Sequence, residues 1–406
     1  MEGMNATSPT TDSATRRARS SRAAPGELAN GRRPPSGYIR LLRDLPGHRW
    51  FKPLLVVLLT VVYYLVLLVG IVIVFGLWSV VSAGGVLGGI DATISGIDDM
   101  NTVTGMVLAL VSVIVMWPAL ELAMLSVYQR WFFPLISVRP GLGLRFGPGL
   151  GSGAVPGGMR WRLLGRYLLL ALPVWVVGLI VLGIVAPESV ALDRGADWDG
   201  RLALMLVLVL LLVPVQAMSE ELVFRGLAMN VIGSWLRSPW WAVLIPVPFF
   251  VFGHLYDVPG LISVGVFAVV MGLLTLWTSG LEAAIAFHTV NNLFAFGLCV
   301  LTGADLNATD APAAQIAVGM AAPIVFALVV IVDARLHGPE LRVPRGPGVA
   351  SDPGAGQSPD PVGRGAGLRA PRRPVSSRSE AHSGEVLPPR GDVVGDLPQD
   401  HLGGGV

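Results

Sequence analysis

The sequence predicts an all-α protein: a polytopic transmembrane bundle of about eight helices, flanked by disordered tails. Hydrophobic residues make up 53% of the 406 residues and charged residues only 14%, which are too few charges for a soluble globule of this length. The apolar residues are concentrated in long runs between positions 46 and 339. The two ends of the chain, in contrast, are rich in polar residues, proline and glycine.

Each apolar run is a candidate membrane span, because a spanning helix needs about 20 predominantly apolar residues. The fifth run is short and contains Pro246 and Pro248, which predict a kinked or partly inserted helix. In chain order the runs are Leu54–Trp78, Val103–Val127, Tyr167–Ala186, Leu202–Ala217 continuing toward Arg225, Trp240–Phe252, Leu261–Trp277, Ala283–Leu301 and Ile316–Val332.

The chain is predicted to have three parts. Residues 1–45 are rich in Ser, Pro and Arg without apolar periodicity, which is typical of a disordered basic tail. Residues 340–406, dense in Pro, Gly and Arg, are predicted to be a second disordered tail. Residues 46–339 form the membrane bundle. The sequence contains no nucleotide-binding or zinc-finger motif, so we expect no nucleic-acid partner.

Arginine placement orients the predicted bundle. Arginines are abundant before the first span and between the second and third spans, whereas the loop after the first span carries only acidic charges. Cytoplasmic loops carry the excess of Lys and Arg, so both termini are predicted to be cytoplasmic, in a multi-pass protein of the plasma membrane. This orientation places Glu220 and His288 in the cytoplasmic half of the bilayer. It places His254 near the outer end of the fifth span, unless that helix is short, tilted or broken.

The second half of the bundle carries side chains that membrane helices rarely contain. An ionisable residue in hydrocarbon costs about 2.5–3.5 kcal/mol on insertion scales, so such residues usually serve a function. Glu221 and Arg225 have the four-residue spacing at which a Glu and an Arg pair on one helix face, which leaves Glu220 free to face a cavity. The candidate site residues are Glu220, Glu221, Arg225, His254, His288 and Asn292.

Each candidate also has a structural interpretation. The glutamates and Arg225 could form a charge cluster that reaches the cytoplasmic interface from a helix end. His288 and Asn292 could hydrogen-bond neighbouring helices together. Taken together, carboxylates, imidazoles and an amide are the groups of a hydrolytic site. Two other classes stay open: a proton-coupled transporter, in which buried Glu and His relay protons, and a non-catalytic scaffold or immunity protein.

Three motifs occur in order on successive predicted membrane segments. They are Glu220-Glu221-x-x-x-Arg225, Phe250-x-x-x-His254 and His288-x-x-x-Asn292. The ordered trio resembles the CAAX prenyl protease and bacteriocin-processing (CPBP) family, an eight-helix intramembrane protease group. That group includes the type II CAAX prenyl endopeptidases and is often labelled Abi in bacteria. The resemblance covers roughly residues 160–335.

The resemblance implies a role for each candidate. Glu220 matches the catalytic glutamate and His254 the histidine that activates water with it, while His288 and Asn292 match the pair that stabilises the oxyanion. Glu221 matches the structural partner of the motif arginine, next to the catalytic position. The expected substrate is a peptide or protein, either lipidated or otherwise membrane-bound.

Two hydrolytic mechanisms stay open from the residue types. In the first, Glu220 and His254 act as general base on a water molecule while N–H donors stabilise the oxyanion. In the second, Glu220, His254 and His288 ligate zinc and leave the fourth position to water, since two imidazoles and a carboxylate are a common catalytic zinc set.

Overall fold

A computed structural model describes residues 37–138, 157–192 and 200–337. Most of these residues are helical, and a π-helical segment, Leu222–Ala228, joins α6 to α7. Residues 1–36 and the predicted tail 340–406 lie outside the described residues. The α-helices are α1 (Lys52–Ser82), α2 (Val86–Asp98), α3 (Val103–Ile114), α4 (Met116–Tyr128), α5 (Trp161–Val185), α6 (Gly200–Glu221), α7 (Met229–Trp235), α8 (Pro239–Leu244), α9 (Pro246–Phe252), α10 (Val258–Thr278), α11 (Glu282–Thr302) and α12 (Ala313–Leu336).

Seven helical spans in the described residues are long and apolar enough to cross a membrane. They are α1, α3 with α4, α5, α6 with the π segment and α7, α10, α11 and α12. The pair α8–α9 is a shorter apolar element. Outward faces are apolar, as shown in α1 by the exposed side chains of Leu58, Val66 and Val74. The predicted fold is confirmed: the chain is an all-α, multi-pass integral membrane protein with about eight membrane segments.

Two helical segments are broken near proline, whose ring cannot donate the hydrogen bond of a regular helix. α3 and α4 meet at Val115, shortly before Pro118. α8 and α9 meet at Ile245, directly before Pro246. At about 1.5 Å per residue the α8–α9 pair is about 20 Å long, less than the roughly 30 Å of a hydrocarbon core. His254 therefore follows a short, broken helix, as one of the alternatives for the fifth run anticipates.

One helix lies where the sequence predicts only a loop. α2 follows the first span and packs back against α1 and α3. Its glycines have low helix propensity, which hides the helix in the sequence. They also permit close packing, because a side chain at Gly89 would clash with the backbone of Val80. Tertiary contact therefore overrides local propensity here.

α11 occupies the packed interior of the described bundle. It packs against α5 and α6 and also contacts α10. Near its start, Ala283, Ala284, Ala286 and Phe287 are fully buried. Small side chains let neighbouring membrane helices approach closely. α6 and α11, which carry Glu220 and His288, lie side by side.

The predicted boundary of the N-terminal tail at residue 45 is wrong. Residues Tyr38–Asp44 form a 3₁₀ helix whose apolar side chains, together with Leu45, are buried in the core. The N–H of Leu41 donates to Oδ1 of Asn230 in α7 at 2.9 Å. Arginines interrupt the apolar residues of this segment, so its sequence resembles the tail before it. Its burial depends on contacts with distant elements that no local pattern reveals.

Candidate active site

The two consecutive glutamates lie where α6 passes into the π segment. The side chain of Glu221 is fully buried, whereas that of Glu220 keeps 10% exposure. π-helical turns are rare and frequently occur at functional sites. The π segment was not predicted. Its position directly after the glutamates makes this end of α6 the first place to look for a site.

Arg225 forms the predicted ion pair with Glu221. Its Nη1 donates to Oε1 of Glu221 at 2.9 Å, and its Nη2 donates to the carbonyl oxygen of Ala268 at 3.4 Å. The guanidinium carbon lies 4.4 Å from the ring centroid of Phe250 and 5.5 Å from that of Phe267, within the range of cation–π attraction. The buried cation is therefore enclosed by one carboxylate and two aromatic rings.

His288, in α11, bridges the two glutamates. Its Nδ1 lies 2.8 Å from Oε1 of Glu221, and its Nε2 lies 3.2 Å from Oε2 of Glu220. The second contact has an ion-pair distance but poor alignment, since Oε2 of Glu220 has no hydrogen-bond partner among the described residues. Catalytic hydrogen bonds are often long in substrate-free sites and tighten on binding. We call Glu220, Glu221, Arg225 and His288 the charge cluster.

The charge cluster is electrically balanced in one protonation state. If His288 carries a proton on both nitrogens, each nitrogen has a carboxylate oxygen within 3.2 Å. The two positive and two negative charges then sum to zero, which limits the cost of burial. In that state Glu220 is ionised, as a general base must be.

Asn292 lies one turn after His288 and reaches α6 one turn before Glu220. Its Nδ2 donates to Oε1 of Gln216 at 3.0 Å, and its Oδ1 accepts from Nδ2 of Asn291 at 2.9 Å. Sequence reasoning missed Gln216, which is buried. The signal that could have found it is a shared spacing: Gln216 and Glu220 are four residues apart on α6, as His288 and Asn292 are on α11.

His254 is not joined to the charge cluster by a hydrogen bond or ion pair within the described residues. It follows the end of α9, where its Nδ1 lies 2.8 Å from the carbonyl oxygen of Phe250. The Phe250 ring contacts both histidines, at centroid distances of 4.9 Å to His254 and 6.3 Å to His288. The direct pairing of His254 with Glu220 is therefore not made in this arrangement, and Nε2 is the nitrogen left for water or substrate.

The zinc alternative requires three converging ligands. Among the described residues, no group of three or more His, Cys, Asp or Glu side chains is arranged to hold a metal ion. Both nitrogens of His288 face carboxylates, and Nδ1 of His254 faces a backbone carbonyl. As placed, Glu220, His254 and His288 do not fit a three-ligand site, and metal assistance stays a prediction.

The carbonyl groups of the π segment are satisfied by side chains that the sequence did not single out. The Tyr38 hydroxyl lies 2.8 Å from the carbonyl oxygen of Leu135 and 3.3 Å from that of Arg225. Nδ2 of Asn230 donates to the carbonyl oxygen of Gly226 at 2.8 Å. The N-terminal 3₁₀ helix is thereby attached to the backbone that carries Arg225.

An apolar cleft adjoins the charge cluster at Arg225 and Phe250. Its other walls include Phe224, Val243 and Gly272, so the cleft lies between the π segment, α8 and α10. Its volume of about 10 Å³ is enough for about one water molecule, so it would have to widen to accept an apolar group.

A family model described as Type II CAAX prenyl endopeptidase Rce1-like matches residues 201–294. The matched stretch runs from α6 into α11 and contains all the candidate residues of the three motifs. No curated protein and no solved structure is significantly similar to the chain. The family resemblance inferred from the motifs is confirmed over this stretch, and the similarity supports a protease that acts on a peptide or protein.

Proposed function

We propose that the protein is an intramembrane endopeptidase in which Glu220 is the general base. The observation that carries this proposal is the charge cluster. Of its two buried glutamates, only Glu220 keeps an accessible side chain, and its near neighbour is the imidazole of His288. The similarity of residues 201–294 to type II CAAX prenyl endopeptidases supports peptide-bond hydrolysis as the reaction.

The proposed reaction begins when Glu220 removes a proton from a water molecule. The water oxygen bonds to the carbonyl carbon of the substrate, and the electron pair of the C=O bond moves to its oxygen. The oxyanion electron pair then re-forms the C=O bond as the C–N bond breaks, and Glu220 returns the proton to the leaving nitrogen. A positioned general base typically contributes about 10²–10⁴-fold to the rate.

In the proposal, Asn292 stabilises the oxyanion and His254 contacts the water or the peptide. Asn292 donates from Nδ2 to Gln216 and has a second N–H available for the substrate oxyanion. A single oxyanion donor is worth about 10²–10³-fold. His254, tethered through Nδ1, presents Nε2 to the water or the peptide when substrate is bound.

Glu221 and Arg225 are positioning residues in this scheme. Glu221 is fully buried, so it does not contact substrate, and its Oε1 holds both Nδ1 of His288 and Nη1 of Arg225. The pair thereby fixes the ring orientation of His288, whose Nε2 faces the base. A metal ion, if bound, would supply Lewis-acid activation of the water; the steps above are assigned to the chain's own residues.

We infer the substrate class from the family similarity. In this proposal the small apolar cleft beside Phe250 widens when an apolar segment or a lipid group of the peptide binds, with the scissile bond at Glu220. We infer that the scissile bond lies in the predicted cytoplasmic half of the bilayer, because the positive-inside pattern places this end of α6 there.

The test uses full-length protein in liposomes with two internally quenched peptides, one carrying a prenylated cysteine near its C-terminus and one without the prenyl group. Cleavage at one defined bond, detected by fluorescence and mass spectrometry, is the expected result. Preference for the prenylated peptide would show that the protein recognises the lipid group. Proton flux across the liposomes with neither peptide cleaved would contradict the proposal and favour a transporter.

A further inference from the structure

Gln216 is a buried polar side chain next to the charge cluster that the proposed reaction leaves unused. It lies on α6 four residues before Glu220, so the two side chains share one helix face about 5–6 Å apart at their Cβ atoms. Gln216 is outside the three motifs that carry the family resemblance. Its polar group therefore needs its own explanation.

The orientation of the Gln216 carboxamide is set by a chain of amides. Nδ2 of Asn291 donates to Oδ1 of Asn292, and Nδ2 of Asn292 donates to Oε1 of Gln216. A carboxamide has one acceptor oxygen and two N–H donors. Because the oxygen of Gln216 is used by Asn292, its Nε2 group points away from that contact with both N–H groups available.

The free end of this chain is Nε2 of Gln216. Nε2 of Gln216 has no hydrogen-bond partner within the described residues. Unlike the fully buried unpaired polar atoms of this structure, it keeps a small solvent exposure. The carboxamide is fixed in orientation because its oxygen accepts a hydrogen bond, while its nitrogen can still donate. These are the properties of a preorganised oxyanion donor.

The spacing between α6 and α11 also fits such a role. Glu220 faces His288, and Gln216 faces Asn292, so the base and the two amides lie about one helical turn apart. In the attack of water on a peptide, the base and the oxyanion donor are separated by the water and the C=O group, a span of about 6 Å if both hydrogen bonds are about 2.7–3.1 Å long.

We propose that Gln216 donates an N–H to the developing oxyanion beside Asn292, as a second amide of the oxyanion site. This proposal rests on the endopeptidase activity proposed above. The alternative is that Gln216 only holds Asn292 in place and never contacts the substrate. The two accounts predict different results in a double-mutant cycle.

The cycle compares wild type, Gln216→Met, Asn292→Ala and the double variant, in liposomes with the quenched prenylated peptide. We expect Gln216→Met to lower kcat about 10²-fold or more with little change in KM. In the Asn292→Ala background the loss should be smaller, because Asn292 no longer orients Gln216, but kcat should still fall at least tenfold, because the Gln216 donor is lost. If Gln216→Met has no effect in that background, Gln216 acts only through Asn292 and the proposal is overturned.

Two further variants separate chemistry from folding. Gln216→Glu keeps an oxygen to accept from Asn292 but removes the donor, so its kcat should fall as far as that of Gln216→Met; wild-type kcat would also overturn the proposal. Ser219→Ala is the matched control, since Ser219 is buried in α6 and bonds to the carbonyl oxygen of Val215 at 2.7 Å. It should keep wild-type kcat and folded yield. A wild-type protein that cleaves neither peptide would refute the proposed function itself, before any variant is compared.

Discussion

Two ion pairs, each between an arginine and a fully buried glutamate, differ in how many of the carboxylate oxygens have hydrogen-bond partners. Glu282, at the start of α11, pairs with Arg160, which precedes α5. Oε1 of Glu282 accepts from the backbone N and Nε of Arg160 at 3.0 and 2.8 Å, and Oε2 accepts from Nη2 at 2.5 Å. Every carboxylate oxygen of this pair has a partner, which is what a purely structural ion pair requires.

The pair of Glu221 and Arg225 is built differently. Oε1 of Glu221 accepts from both Arg225 and His288, while Oε2 has no hydrogen-bond partner among the described residues. Buried polar atoms are nearly always paired, and exceptions often mark functional sites. The saturated pair therefore holds helices together, and the unsaturated pair, next to Glu220, marks the place where chemistry is proposed. The predictions below test this contrast.

Removal of the N-terminal 3₁₀ helix should have the largest effect, because its apolar side chains are buried in the core and its Tyr38 hydroxyl contacts the backbone at Arg225. A protein truncated to residues 46–339 loses Tyr38, Ile39, Leu41, Leu42 and Leu45, all buried. Each such side chain contributes about 1.5–3 kcal/mol when fully buried. We expect little folded protein by size-exclusion chromatography in detergent. A protein of residues 37–339 should fold normally. Equal folded yields of the 37–339 and 46–339 proteins would show that the 3₁₀ helix is dispensable.

Removing the arginine of either pair should lower the folded yield nearly as much. Arg225→Ala and Arg160→Ala each leave a fully buried glutamate without its cation, at a cost of about 3–5 kcal/mol. We expect folded yields well below wild type for both, measured after detergent extraction. A wild-type yield for Arg225→Ala would mean that Glu221 is neutral or reaches water.

Neutralising both members of a pair should separate its contribution to folding from its contribution to turnover. Glu282→Gln with Arg160→Gln removes both charges of the saturated pair, so folded yield and turnover per folded molecule should recover together. Glu221→Gln with Arg225→Gln should recover yield but stay at least about tenfold slower, because Nδ1 of His288 loses its anionic partner. Equal turnover of the two double variants would remove the distinction between the pairs.

The hydroxyl of Tyr38 should make a smaller contribution. Tyr38→Phe leaves the carbonyl oxygens of Leu135 and Arg225 without this donor, which costs about 1–3 kcal/mol for buried groups. Tyr63→Phe is the matched control, because the Tyr63 hydroxyl pairs with Ser126 in an exposed position. Thermal unfolding in detergent should show a lower midpoint for Tyr38→Phe only. A shift of the same size in Tyr63→Phe would contradict the assigned role.

Chelation should have the smallest effect. The described residues contain no group of three His, Cys, Asp or Glu side chains arranged to hold a metal ion, so turnover should be unchanged by a chelator. Elemental analysis of the purified protein accompanies the assay. Stoichiometric zinc, with activity lost on chelation and restored by zinc, would establish the metal mechanism and require His254 to move toward Glu220 and His288.

The sequence predicts those features of the fold that depend on local periodicity. Long apolar runs locate the spans, and the four-residue spacing of Glu221 and Arg225 predicts their ion pair, because both are properties of a single helix. The pairing of Arg160 with Glu282 joins residues 122 positions apart and follows from no local pattern. The 3₁₀ helix at Tyr38–Asp44 is hidden for the same reason.

In the candidate site, too, the sequence predicts residue types but not the contacts between distant residues. The types of residue at Glu220, His254 and His288 predict hydrolytic chemistry, and the structure brings Glu220 and His288 together. It does not join His254 to them by a hydrogen bond, and the Phe250 ring lies near both imidazoles. Residue types also do not reveal that Gln216 faces Asn292, since this contact depends on the packing of α6 against α11.

The central claim is that Glu220 is the base and Glu282 is not part of the chemistry. Its most direct test is the turnover of the quenched prenylated peptide by Glu220→Gln and Glu282→Gln, each normalised to folded protein. Glu220→Gln is nearly isosteric and should keep the wild-type yield while losing at least about 10²-fold in kcat, because an amide cannot accept the proton of water. Glu282→Gln should lose yield but keep wild-type kcat. Wild-type turnover by Glu220→Gln would contradict the claim.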